Sequence, residues 1–211
     1  MRAAMMWMAL AACGGGDPTD SSDATDLTDA TDVTDDTDVG GDLPQVLIET
    51  SLGEMVVEID VEQAPITGEN FLAYVDAGFY DGDDGLGGTI FHRVIDEFMI
   101  QGGGFTATGS RKVTNAPITL ETDTGLNNVR GTLAMARTND PDSATTQFFV
   151  NHVDNGFLDS TGPGTGYAVF GRVVVGLDVL DAIATTPVDN PGGQSPKPLT
   201  DVVILDCERV E

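Results

Sequence analysis

FHRVIDEFMIQGG at residues 91–103 and GTLAMARTNDPDSATTQFFVNHVDNGFLD at residues 131–159 decide how this chain is read. Their apolar runs, at residues 98–101, 132–135 and 147–151, are four or five residues long and bounded by Gly, Asp and Asn. Runs of that length between turn residues read as strands, since a helix needs ten or more. Further runs lie at residues 46–51, 55–59, 89–94, 169–175 and 202–210, which makes eight in all. The first two are separated by Leu52, Gly53 and Glu54 and read as a hairpin. Two stretches have helical spacing instead. Pro65 opens one that carries Phe71, Tyr74 and Val75 on a single face and stops at Gly78; residues 177–184 form the other. Eight short strands and two helices predict a mainly β fold, a closed eight-stranded antiparallel β-barrel capped by two α-helices, in place of a βαβ arrangement.

Outside this region the chain changes character. Of its 211 residues, residues 44–211 have mixed composition suited to one domain, and residues 13–43 are of low complexity. The whole chain has 35 acidic and 9 basic side chains, a net charge of -26. Without residues 1–42 there remain 25 acids and 8 bases, so the domain itself is strongly acidic. Such a surface repels phosphate backbones and excludes nucleic acid as a partner. A soluble, self-repelling monomer is expected. The two cysteines, Cys13 and Cys207, lie at opposite ends and provide no disulfide framework. Cys207, within VVILDCERV, reads as a small buried hydrophobe.

At the N-terminus, Arg2 precedes an uncharged run at residues 3–12. At ~1.5 Å per helical residue it is too short to cross a ~30 Å hydrocarbon layer, but it has the parts of a secretory signal. Leu10-Ala11-Ala12-Cys13 resembles the lipobox of bacterial lipoproteins, which implies a signal peptide at residues 1–12 and lipidation of Cys13. Gly14, with no Asp after the cysteine, favours the outer membrane. The expected location is the cell envelope, anchored and facing the periplasm. Between residues 17 and 38 an Asp stands at every third position, interleaved with Thr. Like charges at that density, with no apolar face to bury, predict an extended, disordered spacer that reaches at most about 100 Å.

The chemistry of the domain is constrained by what it lacks. His92 and His152 are its only histidines, no nucleophile elbow or phosphate loop occurs, and no Cys/His cluster has zinc spacing. Hydrolysis, phosphoryl transfer and metal chemistry are poorly supplied. Taken one by one, Phe98, Met99 and Phe149 fit an ordinary core as well as a ligand pocket, and Arg93 fits a solvated surface charge.

Together with GYAVFGRVVVGLDVLDAI at residues 166–183, the two opening segments resemble the cyclophilin family, especially its bacterial members, in order and spacing. The resemblance implies a peptidyl-prolyl cis-trans isomerase that acts on proline-containing polypeptides with no cofactor. It implies that Arg93 is the catalytic arginine, that Phe98, Met99, Phe149 and Leu158 form the proline pocket, and that Gln101 stands beside the arginine. Ala136, Arg137 and Thr138 carry over as contacts along the substrate backbone, and Gln147 as a polar contact. Phe157 stands where many eukaryotic members have Trp, and Tyr167 where they have His. Phe157 cannot supply the indole hydrogen bond through which the family binds cyclosporin. A binding module that had kept the barrel but retired from catalysis would be free to lose Arg93; its presence favours the enzyme.

Overall fold

Alternation of apolar and polar residues along β1 (Gln45–Thr50) and β2 (Gly53–Ile59) buries every second side chain, and the two strands pair antiparallel from Gln45 opposite Glu58 to Thr50 opposite Gly53. The hairpin turn is therefore Ser51 and Leu52, one residue earlier than expected, because Gly53 takes φ +135° and begins the second strand. The computed structural model describes residues 43–210, which fall within one unit, Gly40–Glu211. Cys13 and the spacer lie outside the described residues.

The remaining elements follow in chain order: α1 (Pro65–Asp76), β3 (Arg93–Ile95), β4 (Met99–Gly102), β5 (Thr132–Met135), β6 (Phe148–Asn151), a 3-10 turn at Gly156–Leu158, β7 (Val169–Val175), α2 (Leu177–Ala184) and β8 (Ile204–Val210). All eight strands join one antiparallel sheet in the order β3-β4-β6-β5-β7-β2-β1-β8. Eight antiparallel strands and two helices agree with the sequence. Closure does not, and the closed barrel is corrected to a curled half-barrel. The ladder ends at β3 and β8, which are linked through a single isolated bridge, Ile90 to Val203, with Phe91 N–H donating to Val202 O and Ile204 N–H to Thr89 O. The run at residues 89–94 is not one strand. Its first half faces β8, its second half pairs with β4, and Phe91 and His92 carry the change of direction. Beside β3 the free edge is taken by the loop PGGQSPKP, whose Pro196 carbonyl accepts from Val94 N–H at 2.9 Å. A proline-containing loop lacks the donors to extend a ladder, so pairing stops there.

Helix α1 has no acceptor of its own at its start: Ala64 is the N-cap and no side chain of the first turn caps it. The carboxylate of Glu121 does so from another loop, accepting from Ile66 N–H (3.3 Å) and Thr67 N–H (3.0 Å). The far end closes as expected at Gly78, where φ is +61°; Gly78 N–H donates to Val75 O and Phe79 N–H to Tyr74 O. Phe79 then packs on Tyr74, ring centroids 4.9 Å apart.

The main core lies inside the curl and is built from Val46, Ile48, Met55, Val57, Ile59, Phe71, Tyr80, Phe91, Phe148 and Phe170, among others. Cys207 is part of it, and burial raises its thiol pKa far above the ordinary value, so it is an inert apolar residue. The acidic loop around Asp81–Asp84 closes over Lys112, which is only 5 % exposed. Its ammonium donates to the carbonyls of Phe79 and Gly87, pairs with Asp84 at 2.7 Å and stands 4.6 Å from the centre of the Phe79 ring. The lysine gathers the loop as a bound cation would.

Two outcomes follow. Lys112→Met leaves two carbonyls and a carboxylate without their cation; a loss of roughly 2 kcal/mol is expected, below the ~3–5 kcal/mol of a fully buried pair because Asp84 is partly solvated. Urea unfolding checks it, and unchanged stability would contradict the account of the loop. Burial depresses the His92 pKa from 6.5 to about 4. The unfolded chain then takes up a proton below pH 6.5 that the native state refuses until about pH 4. The contribution of neutral His92 is complete above pH 6.5 and lost as pH falls through that window, by at most about 3 kcal/mol. Between pH 7 and 5 the stability loss of a His92→Gln variant should be roughly 2 kcal/mol smaller than that of the parent; equal losses would show that His92 charges freely.

Candidate active site

Strand register places the site. Residues directly opposite one another on antiparallel strands share a face, and Arg93 on β3 stands opposite Gln101 on β4, Gln101 opposite Phe149 on β6, Phe149 opposite Ala134 on β5, and Ala134 opposite Val169 on β7. This one row crosses five strands on the outer face of the sheet. Their neighbours in sequence, Ile100, Phe148, Leu133 and Phe170, point the other way into the main core. On the outer face Met99, Ala134, Phe149 and Val169 form a second, separate apolar cluster, against which Ile95, Phe98, Leu126, Ala136, Leu158 and Tyr167 pack. Both faces are thus covered, which is why all four residues of β6 are buried.

Beside this cluster is a cavity of about 220 Å³ lined by Arg93, Phe98, Met99, Gln101, Ala136, Arg137, Phe149, Leu158 and Tyr167. It is smaller than the ~300–1,000 Å³ typical of sites for whole small molecules and has the size for one side chain. A larger depression of about 870 Å³, lined by Glu62, Glu121, Asp123 and Asp142 among others, offers no comparable convergence of groups, and Glu121 is already committed to α1.

Arg93 is held from two sides. Its Nε donates to the carbonyl of Gln194 at 2.7 Å and its Nη1 to Gln101 Oε1 at 3.3 Å, with Met99 Sδ at 3.7 Å. Gln101 is itself aimed by its Nε2, which donates to Gln147 Oε1 at 3.0 Å. Nη2 of Arg93 has no hydrogen-bond partner among the described residues. Partial burial lowers the guanidinium pKa somewhat, with Tyr167 nearby opposing it, and the group stays charged at every neutral pH. The Phe98 ring faces Arg93 at 5.8 Å and stacks on Phe157 at 5.7 Å; Tyr167 meets Phe149 edge-on at 5.6 Å.

Nine of the residues expected from the sequence meet in the cavity. Three do not line it. Gln147 stands behind Gln101, and Phe157, 75 % exposed, covers the outer side of Phe98. Thr138 is exposed and its hydroxyl and N–H are both engaged with Ser143, so the structure does not bring its side chain to the cavity. Cys13 lies outside the described residues.

Several supporting groups escaped the sequence. Gln194 acts through a carbonyl that every residue has, so no side-chain signal marked it. Phe98 follows Glu97, whose φ of +56° is the only positive value outside glycine among the described residues. That strained turn is held because Glu97 N–H donates to Asp96 Oδ1 (2.9 Å) and to His152 Nδ1 (3.1 Å). On its other side the His152 ring places Nε2 3.1 Å from Asp181 Oδ1. Beneath Phe98 and Leu158 runs a buried amide chain: Asn155 Nδ2 donates to Phe98 O and Asn151 Oδ1, Asn151 Nδ2 to Asn128 Oδ1, and Asn128 Nδ2 to Asp159. It ties the 3-10 turn that carries Phe157 and Leu158 to the strands.

Arg93, with Nη2 free among the described residues, thus stands at a small cavity whose lining includes no Ser, Cys, His or carboxylate. The family model for cyclophilin type peptidyl-prolyl cis-trans isomerases matches residues 45–209. The chain is 54% identical over 162 residues to the peptidyl-prolyl cis-trans isomerase cyp18 of Streptomyces antibioticus, covering 75% of this chain and 94% of that one. It is 48% identical over 166 residues to peptidyl-prolyl cis-trans isomerase A of Dickeya dadantii, covering 79% and 84%. In structure it is similar to a Cryptosporidium parvum cyclophilin type isomerase crystallised in the presence of the dipeptide Ala-Pro, with a TM-score of 0.64 and 28% identity over 79% of this chain and 99% of the other. The chain belongs to the cyclophilin family and is a peptidyl-prolyl cis-trans isomerase.

Proposed function

We propose that Arg93 accelerates rotation about X-Pro bonds by electrostatic stabilisation alone, and that the enzyme does so on exported proteins while tethered through a lipid on Cys13. An amide resists rotation because the nitrogen lone pair is shared with the carbonyl, which gives a barrier of ~18–20 kcal/mol and an uncatalysed rate on the order of 0.01 per second at the upper figure. In the twisted state the lone pair is localised on nitrogen. A guanidinium N–H donating to that nitrogen is favourable in the transition state and absent in the planar ground state, which is the condition for raising kcat. The supporting observation is the free Nη2 of Arg93, held at the cavity while Nε and Nη1 are fixed by Gln194 and Gln101.

The other residues divide the remaining work. Phe98, Met99, Phe149 and Leu158 hold the proline ring, so that only the preceding carbonyl turns. Ala136, Arg137 and Thr138 offer backbone along which the peptide lies, Tyr167 closes the far wall, Gln147 aims Gln101, and Phe157 shields Phe98. No proton is transferred, no covalent bond forms and no cofactor is needed. A rate gain of ~10⁵ would need about 7 kcal/mol in total, shared between the arginine and the fixed ring.

In a protease-coupled assay on an Ala-Pro-Phe peptide, Arg93→Ala should lower kcat/KM by ~10²–10³ with little change in KM, the range for removing one donor aimed at developing charge. Arg93→Lys should recover little, because an ammonium cannot bond Gln194 and Gln101 and still present a third donor in plane. Activity equal to the parent in a folded Arg93→Ala protein would end this mechanism. For the tether, mass spectrometry of the mature chain should find a diacylglyceryl group on an N-terminal Cys13, and Cys13→Ser should move the protein from the membrane fraction to the soluble one; an unmodified cysteine would refute the anchor.

A further inference from the structure

In a domain so rich in carboxylates, basic side chains are expected to find acidic partners, and most do. Lys112 pairs with Asp84, Arg130 with Asp181, Arg172 with Glu58, Lys197 with Asp201 and Arg209 with Asp76, each at 2.7 or 2.8 Å. Arg93 and Arg137 have no carboxylate within 4.0 Å among the described residues, and both line the same 220 Å³ cavity. The exposed Arg111 is the other cation without an ion pair there.

Arg93 has a use that explains its unneutralised charge. Arg137 has none in the mechanism above, where only its backbone is engaged. Its side chain is nevertheless fixed, half-buried, by neutral groups alone: Nε donates to Gly166 O at 3.0 Å, Nη1 to Thr138 O at 2.9 Å, and the guanidinium lies 5.0 Å from the centre of the Tyr167 ring. Carbonyls and an aromatic face hold a guanidinium in place without cancelling its charge. Nη2 has no partner among the described residues. Two like charges kept at one small cavity repel each other, and an anion arriving there relieves that repulsion while gaining a charge-assisted hydrogen bond.

We infer that Arg137 makes this isomerase selective for acidic polypeptide segments, prolines with an Asp or Glu in the adjoining residue, whose carboxylate is bound by the Arg137 guanidinium. The inference rests on the cavity being the proline site. The acidic remainder of the domain repels such a segment at long range, but charges beyond ~8 Å are largely screened at physiological ionic strength, so the contact decides. On the residue after proline, which the fixed ring keeps still, the carboxylate is bound equally in the planar and twisted states, which places the preference in KM and leaves kcat alone.

The test uses the full chain and three series-matched peptides with Glu, Gln or Lys beside a central proline, before it in one series and after it in the other. Isomerisation is followed by exchange NMR across peptide concentrations, so that no protease selects among them. In at least one series kcat/KM for the Glu peptide should exceed that for the Lys peptide by about tenfold in 20 mM salt, through KM, and by only two- to threefold in 0.5 M salt. Within Arg137→Gln the same ratio should fall close to one, and within Arg137→Lys it should persist in part. Equal values for the three peptides, a ratio indifferent to salt, or a ratio unchanged by Arg137→Gln would each overturn the inference while leaving the isomerase site intact. A Gln peptide that the parent protein does not accelerate would overturn both. The salt series on the parent protein decides the matter should Arg137→Gln fail to fold.

Discussion

Burial of both faces of the β4, β6 and β5 strands is the constraint on which the molecule depends. A strand with one buried face is held in register by that face alone; here a slip of one residue would drive Phe148, Ile100 and Leu133 out of the main core and Phe149, Gln101 and Ala134 into it. The inner packing thus determines the outer row. Because Arg93, Gln101 and Phe149 are cross-strand neighbours in that row, the sheet sets the spacing of their backbones, and the loop carbonyl of Gln194 then fixes where the charge stands.

The same economy appears in the support around Arg93. Electrostatic stabilisation is effective only when the donor is in place before the reaction, so that reorienting it costs nothing at the barrier. The Gln194 carbonyl, Gln101 and Gln147 fix the guanidinium plane, while the amide chain of Asn128, Asn151 and Asn155 fixes the opposite wall through the Phe98 carbonyl. The strained Glu97 turn, held by His152, directs Phe98 toward Phe157. In an acidic domain, the charges of the two arginines of the cavity are left uncompensated because carbonyls, amides and rings hold them where carboxylates would have formed ion pairs.

Much of this was legible in the residue order. Short apolar runs between turn residues located the strands, and Pro65, Gly78 and the spacing of Phe71, Tyr74 and Val75 located α1 to its ends. Local signals failed where the cause was not local. Residues 89–94 read as one strand, yet two different partners divide it at Phe91 and His92; closure of the barrel was lost with it. The hydroxyl of Thr138 is engaged by Ser143, five residues on, a pairing that the sequence did not announce. Glu121 caps α1 across more than fifty residues, and nothing near either segment announces it.

By itself the sequence determined the class of fold, the family and the kinds of side chain available to the reaction, because strand length, turn residues and motif order are properties of neighbouring positions in the chain. Only the tertiary structure decided which face of each strand is interior, which carbonyl holds Arg93, and which arginines are left without a carboxylate. Those depend on groups that meet across the sheet from distant parts of the chain, and on backbone atoms that are the same in every residue.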